Sequence, residues 1–485
     1  MDTDVIDTSE RSRVGTEHAA VTECLRSINP ARWAGRRDYL TMTPQRLFGQ
    51  LADVYQAVLA CTDANPARVA TAYEHSLRFA DAAFTNLRAR RGHVLGDRRI
   101  DSVFAVPLRH NGVDPIYSTD SNAFLPLFSR EFGISTDVQL RAILGLPPTV
   151  IETNLQGTGP GEHGVTICVP LFSTMIDDIT PDHSDPMQSA ELLRIGSTIM
   201  ARAAFLAHVQ LGAKVMGLGG TLPKVSGFGA SFKHHPTHDM GGLVTTTGHG
   251  GTVHLILETV RALQTTKTFG RQDSKLGVIG AAGSIGWSTV VCLHDLFDKN
   301  DIRVNDHRHE VLHDKIESYQ HAGLLHQRNS VLDVLRESNI VVAAVTRPID
   351  LDVIDPHVEL DLRGKAIIDD SEPKAFRRAQ VEARGGFLLN VAGQAHSGFR
   401  ALRRDGYWSG GPQTPYAFGD EAGLLGDSSW GCDVERVMIS WSGAHTEAIS
   451  DEVTPRDVRS IGRLCAEAGV GVAPFQSFNR AVVID

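Results

Sequence analysis

No stretch of this chain stays apolar for the roughly 18 residues that a membrane-spanning helix requires. The first residues, Met1-Asp2-Thr3-Asp4, are acidic and polar, unlike the basic start of a secretory leader. Both absences lead to the expectation of a cytoplasmic protein. Positive charge is also short: 47 Lys and Arg stand against 57 Asp and Glu, a formal charge of −10. That argues against a nucleic-acid partner, which demands a net basic face. The six cysteines, Cys24, Cys61, Cys168, Cys292, Cys432 and Cys465, form no Cys-x-x-Cys pair, so individual thiols are expected rather than a disulfide framework. Walker A, Gly-x-Ser-x-Gly and His-Glu-x-x-His motifs are all missing, which excludes the commonest nucleotide-hydrolysing, serine-hydrolase and zinc-protease arrangements. His234, His235, His238 and Asp239 share a proline-containing loop without the helical i, i+4 spacing of a zinc site, and read as a polar surface loop. No metal is expected.

What is present is ordinary for a soluble domain, 42% hydrophobic and 21% charged residues, in a chain long enough for two or three domains. The most informative stretch is 275–291. An apolar run at 276–279 suits a buried parallel strand. Gly280-Ala281-Ala282-Gly283-Ser284-Ile285-Gly286 follows, and then a helix-compatible run to Phe297. Strand, glycine turn and helix are the parts of a dinucleotide site, because backbone must approach the pyrophosphate and the helix start offers free N–H groups. A second strand at 302–305 ends in Asp306, twenty residues after Gly286, where an acidic residue would meet a ribose.

Residues 1–38 lack apolar periodicity and read as a polar tail. Helices are expected after Thr43-Pro44 (Leu47, Phe48, Leu51, Val54, Tyr55, Val58) and after Asn65-Pro66 (Val69, Tyr73, Leu77, Ala80, Phe84, Leu87). The run Arg88, Arg90, Arg91, Arg98, Arg99 is a solvated face or a contact for an acidic partner. From Asp101 the pattern is mixed α/β, with strands at 103–108, 165–169 and 215–216 and a helical stretch at 189–211. Glycine and threonine crowd Gly217-Leu218-Gly219-Gly220 and residues 245–252, ahead of a helix ending near Gln264. Such density fits tight turns, or backbone brought close to a ligand or another segment. Strands at 340–345 and 366–369, with a helix at 331–337, continue a βαβ rhythm. Helical runs are expected at 432–449 and 455–469. The fold class is therefore α/β: a Rossmann-type doubly wound parallel sheet, a second α/β substrate domain and an N-terminal helical extension. The boundaries are 1–100, 101–270 (substrate), 271–385 (nucleotide) and 386–485 (C-terminal segment with Cys432).

Cys432 stands in Trp430-Gly431-Cys432-Asp433-Val434-Glu435, between a glycine-rich loop and a helix start, a position that favours the reactive thiolate. A small buried hydrophobe is the plainer reading of a single cysteine. His396 and His445 are candidate proton donors or orienting groups.

Taken in order, these blocks resemble the aldehyde-forming long-chain acyl–acyl-carrier-protein reductases over residues 150–485. The matching residues are Gly217-Leu218-Gly219-Gly220, Thr246-Thr247-Gly248 with Thr252, the 280–286 loop, Ile354-Asp355-Pro356, Pro373-Lys374, Asn390 with His396, and Cys432-x-x-Glu435 followed by His445-Thr446. The resemblance implies a Cys432 nucleophile, with His396, His445 and Glu435 in the catalytic set. It implies NADPH bound by Gly280, Gly283, Ser284, Ile285, Gly286, Asp306, Arg308, Val345 and Thr346. Substrate would meet Gly219, Gly220, Thr247, Gly248, His249, Asn390 and Gly393, and the partner would be an acyl carrier protein or a coenzyme A thioester. The chain departs from the family at His249 (Asn there), at Asp370-Ser371-Glu372 (a glycine pair there) and at Thr221 (an aromatic there), which sets a long fatty chain in question. Asp306 suits the 2′-hydroxyl of NADH, whereas Arg308 could pair a 2′-phosphate. Two alternatives stand beside this one: an amino-acid or shikimate-type dehydrogenase that needs no cysteine, and a nucleotide-binding scaffold without catalysis.

Overall fold

A computed structural model describes residues 100–108, 149–154, 163–172, 196–197, 200–229 apart from 202, 240–270, 274–294, 302–372, 374–395, 405–406, 428–449, 452–477 and 480–485. The expected helices at 43–58 and 65–87, the arginine run, the 234–239 histidine loop and His396 lie outside them.

The first sheet combines β1 (Ser102–Leu108), β2 (Thr149–Asn154), β3 (Gly164–Phe172), β4 (Val215–Leu218) and β5 (Val244–Thr246) with the short β13 (Asp405–Gly406), in the order β13-β2-β3-β1-β4-β5. Its β3-β1-β4-β5 part is parallel, and β2 and β13 add antiparallel edges. A short helix α1 (Leu222–Val225) follows β4, and α2 (His249–Gln264) follows β5.

The second sheet is built from β6 (Leu276–Ile279), β7 (Ile302–Asn305), β8 (Leu325–Gln327), β9 (Ile340–Ala343), β10 (Ala366–Asp369) and β11 (Phe387–Asn390). Every neighbouring pair is parallel, in the order β11-β10-β9-β6-β7-β8. Counted along the chain this is 6-5-4-1-2-3, the Rossmann order, with helices α3 (Ser284–His294), α4 (His309–Ser318), α5 (Val331–Glu337), α6 (Leu351–Ile354) and α7 (Arg378–Ala383) in the crossovers. Strands β6, β7, β9 and β10 are buried throughout, which is why they read as short apolar runs rather than alternating ones. The sixth strand, β11, lies beyond the boundary expected at 385, so the nucleotide unit runs to Asn390. The expected strand at 340–345 stops at Ala343, leaving Val345 and Thr346 in the loop beyond it.

Residues 386–485 do not stand apart as a unit. After the short β12 (Gly393–Ala395), α8 (Gly431–Ser442) packs on α2, β1 and β4, and α9 (Pro455–Ala468) packs on α2 and α8 before β14 (Val470–Val472) pairs with β12. The helical run expected at 432–449 ends at Gly443, whose φ of 67° terminates α8. Helix α9 starts on Pro455 with a Thr454/Asp457 capping box. The common neighbour is α2, whose Val253, Leu255, Ile256 and Val260 join one core with β6, α3, α8 and α9. A helix buried on nearly all sides needs little polar face. Among the described residues no helix is long and apolar enough to cross a membrane, and no cluster of three or more His, Cys, Asp or Glu could hold a metal ion.

Arg436 fastens α8 to the first sheet. Its side chain is 1% exposed, it pairs with the fully buried Asp433 at 2.5 Å, and it donates to the Ser102 hydroxyl at 2.5 Å. Removing one partner leaves the other charge buried and uncompensated. Asp433→Ala is therefore expected to lower stability by about 3–5 kcal/mol, measured by denaturant unfolding of the full chain.

Candidate active site

Strand order reverses between β6 and β9, and the crevice opens beyond the carboxyl ends of those strands. Gly280 leaves β6 at φ 84°, where a side chain would be strained and its Cβ would stand 2.3 Å from the Ala344 carbonyl oxygen. A Cβ on Gly286 would stand 2.1 Å from the Gly280 carbonyl oxygen, so only glycine lets α3 close on β6. Asp306, 3% exposed, accepts from the Ala282 N–H at 2.9 Å and from the Arg308 N–H and Nε at 2.9 and 3.2 Å. The carboxylate therefore ties the glycine turn to the end of β7, and it holds Arg308 at the rim.

A cavity of about 600 Å³ runs from this loop to the first sheet, within the range of small-molecule and cofactor sites. Gly280, Ala282, Gly283, Ser284, Ile285, Asp306, Arg308, Val345 and Thr346 line one part. Thr247, His249, Trp430 and Cys432 line the facing part. Cys432 reaches it because α8 and α2 cross at glycines near their starts. A Cβ on Gly248 would lie 2.2 Å from the Cys432 Cβ, and one on Gly431 would lie 2.5 Å from the Thr252 Cα. The glycine density at 248–251 thus serves the close approach of another chain segment.

Glu435, fully buried, holds that crossing. It accepts from the Gly248 and Gly251 N–H groups at 3.0 and 2.7 Å and from the Thr246 hydroxyl. Helix α2 carries no acidic residue in its own first turn, so Glu435 supplies the anion its N-terminus favours. Burial raises its pKa, and the hydrogen bonds from Thr246, Gly251 and Gly248 oppose that rise.

Three further groups give the cavity its chemistry. The His249 Nδ1 lies 3.2 Å from the Ser284 hydroxyl; burial, aided by the Lys224 charge, lowers its pKa to about 4, so the ring is neutral near pH 7. Burial pushes the Asp370 carboxyl up to about 7, opposed by Lys374 and reinforced by Asp369 and Glu372. The Lys374 ammonium lies 4.8 Å over the Trp430 ring and 3.4 Å from the Asp369 carbonyl oxygen.

The residues expected from sequence divide accordingly. Cys432, Gly220, Thr247, His249 and eight of the nine cofactor residues line the cavity, with Gly286 just behind them. Gly248 backs Cys432. Glu435 lies behind the wall as a positioning group rather than beside a reacting atom. His445 opens a 3₁₀ turn beyond the far end of α8 and does not line the cavity. Gly219 packs on Phe104, Asn390 is buried at the end of β11, and Gly393 bridges to Ser429; none of the three lines it. Sequence reasoning did not place Lys224, Lys374 or Thr166 in the site, whereas the departures at Asp370-Ser371-Glu372 and Thr221 point to segments facing the substrate, and these residues line the cavity. For Asp370 and Glu372 a signal existed: they follow a parallel strand at its carboxyl end, where such sheets bind ligands.

Two outcomes follow. The folded protein disfavours protonated His249, so His249 costs stability as pH falls from its ordinary 6.5 toward about 4. His249→Gln should remove up to about 3 kcal/mol of that loss, read from denaturant unfolding at pH 7 and pH 4. Gly286→Ala should abolish nucleotide binding, measured by fluorescence titration with NADPH.

No protein-family model matches the chain, and no curated protein matches it. Solved structures that it matches include a reductive aminase from Aspergillus terreus in complex with NADPH and ethyl-5-oxohexanoate (14% identity, 24% of this chain and 39% of that chain, TM-score 0.18). Another is an imine reductase from Myxococcus stipitatus in complex with NADP+ (21% identity, 25% and 41%, TM-score 0.18). A third is L-tryptophan dehydrogenase from Nostoc punctiforme (10% identity, 76% and 88%, TM-score 0.29). The chain spans about two fifths of the length of the aminase and the imine reductase.

Proposed function

We propose that the chain is an NAD(P)H-dependent oxidoreductase, and that it reduces an acyl thioester to an aldehyde through Cys432. One observation carries this reading: the glycine turn of the Rossmann sheet and the thiol of Cys432 line the same cavity. The residues fit the dinucleotide. At Gly280 and Gly286 the turn has glycines that no side chain could replace, and the N–H groups of the first turn of α3 suit a pyrophosphate. A reduced nicotinamide supplies hydride when bound.

In the covalent step the Cys432 thiolate attacks the thioester carbonyl and forms a new carbon–sulfur bond, and the carrier sulfur departs with the bonding pair. The acyl group is thereby held on a side chain of fixed position, which replaces a chance encounter by a near-attack geometry. After reduction the carbon–sulfur bond to Cys432 breaks, releasing aldehyde and regenerating thiolate. His249, neutral and anchored to Ser284, is suited to donate a hydrogen bond to an oxyanion rather than to pair with it as a cation. The acyl donor would be carried on an acyl carrier protein or coenzyme A.

Both oxygens of Asp306 already accept from protein N–H groups, and Arg308 stands at the rim. This favours NADPH, with Arg308 pairing the 2′-phosphate and NADH as the weaker alternative. A second reading, an amino-acid or shikimate-type dehydrogenase without covalent catalysis, is favoured by Lys224, Asp370 and Lys374, charged groups in the same cavity that could polarise a ketone or imine.

Cys432→Ala should abolish both aldehyde formation and trapping of a radiolabelled acyl group; full turnover in the variant would rule out the covalent route and leave the second reading. Arg308→Ala should raise the KM for NADPH about tenfold, the equivalent of one charge-assisted contact, and change that for NADH far less.

A further inference from the structure

Reducing a carbonyl takes a proton as well as a hydride, and the groups assigned above do not supply one. His249 is already neutral near pH 7, and Cys432 is the nucleophile. Asp370 lines the same cavity, one residue past the carboxyl end of β10. Its loop is fixed at both ends. The Asp370 N–H donates to the Ala343 carbonyl at 3.0 Å, at the end of β9, and the Ser371 hydroxyl accepts from the Val345 N–H at 3.1 Å. Val345 in turn backs the glycine turn, since a Cβ on Gly280 would stand 2.9 Å from its Cγ1. Further along, Asp369 accepts from the Ser371 and Phe376 N–H groups at 2.9 and 3.1 Å, which holds the loop carrying Lys374. Lys374, 3% exposed, lies over the Trp430 ring, two residues before Cys432. The Asp370 loop therefore spans from the support of the glycine turn to the turn that presents the thiol. The charges on it oppose one another: burial, Asp369 and Glu372 favour the acid, Lys374 favours the carboxylate, and the balance falls at about 7 instead of the ordinary 3.8. Lys224, Arg347, His249 and Cys432 line the facing walls. A carboxyl balanced near neutrality can both give a proton and take it back.

We propose that Asp370 is the proton-transfer residue of the reduction, and that Lys374 is the positioning residue whose charge sets when it acts. The inference rests on the thioester reading of the site. The Cys432 thiolate first displaces the carrier thiolate, which takes a proton from solvent; Asp370 stays protonated. As hydride reaches the carbonyl carbon, the carbon–oxygen π pair moves to oxygen, which takes the Asp370 proton and leaves a neutral thiohemiacetal on Cys432. The Asp370 carboxylate then recovers that proton from the hydroxyl, the carbon–oxygen double bond reforms, and the carbon–sulfur pair leaves with Cys432 as thiolate. One thioester, one hydride and one solvent proton become one aldehyde and one carrier thiol, with Asp370 and Cys432 restored. His249 needs no charge in this sequence; its hydrogen bond steadies the oxygen while the proton moves.

The test follows kcat against pH for the full chain with NADPH and butyryl- or decanoyl-coenzyme A. In the wild type kcat should fall as pH rises through the Asp370 value of about 7, because the acid form is consumed. Asp370→Asn should lower kcat about 100-fold or more and remove that fall, while radiolabelled acyl group still accumulates on Cys432, since the attack needs no acid. Lys374→Gln should move the fall to higher pH, because the charge that favours the carboxylate is gone. Asp370→Asn with undiminished turnover, or a fall that Lys374→Gln leaves in place, overturns the proposal; should Asp370→Asn not fold, the Lys374→Gln profile decides. If the wild type reduces no thioester, the thioester reading fails, and the pH dependence of Cys432 alkylation by iodoacetamide, read by peptide mapping, decides the role of Asp370 separately. Loss of the Asp370 charge should favour the thiolate and lower the alkylation midpoint by about one pH unit. That result upholds Asp370 as the acid facing the reacting carbon, and an unchanged midpoint overturns it.

Discussion

The Glu435 carboxylate, buried among N–H groups at the start of α2, is the contact on which the rest of the site depends. It joins α8 to the Thr246-Thr247-Gly248 turn with no cation paired to it among the described residues. The helix dipole and the hydrogen bonds take the place of a counter-ion. Because the crossing is made at glycines, the two helix starts come nearer than side chains would permit. Cys432, one turn before Glu435, is carried with them to the cavity wall. Arg436, on the next position, anchors the same helix to β1. Three consecutive functions on α8, namely thiol, cap and anchor, follow from the period of one helix turn.

The cavity wall carries charges of both signs. At the end near β7, Arg308 stands over a carboxylate already engaged by backbone, a setting suited to an anion. At the end near β10, the Asp370 and Glu372 carboxyls and the Lys374 ammonium gather with the buried hydroxyls of Thr166 and Thr221. His249 lies between them, joined to Ser284 on the nucleotide side and rooted in α2 on the other. Burial keeps it neutral, so it adds hydrogen-bonding capacity without adding charge.

Much of the nucleotide unit was legible because its strands are short, apolar and parallel. Strands 276–279, 302–305 and 366–369 and the helix at 331–337 stand where periodicity placed them, and Gly280 and Gly286 meet the steric demands the motif implies. Less was legible where pairing is long-range. Strand β8 is three residues long with a half-polar pattern, and β13 is two residues paired across 252 positions with Thr153. Nothing local marks such strands, since their hydrogen bonds come from a distant partner. His445 and Glu435 show the same limit in side chains: both are near Cys432 in sequence, yet one lies past the far end of α8 and the other points into the α2 start.

Local sequence was thus sufficient for the parallel sheet, the glycine turn and the helix start at Cys432, because those features follow from spacing, apolar runs and residues that only one backbone geometry accepts. It could not reveal that Asp306 turns inward to hold the loop, that Glu435 is a cap, or that Asp370, Glu372, Thr166 and Thr221 face one space. These are relations between segments from 24 to about 200 residues apart. Their meaning is set by burial and by which donors remain unmatched, and those quantities exist only once the two sheets and α2 have packed together.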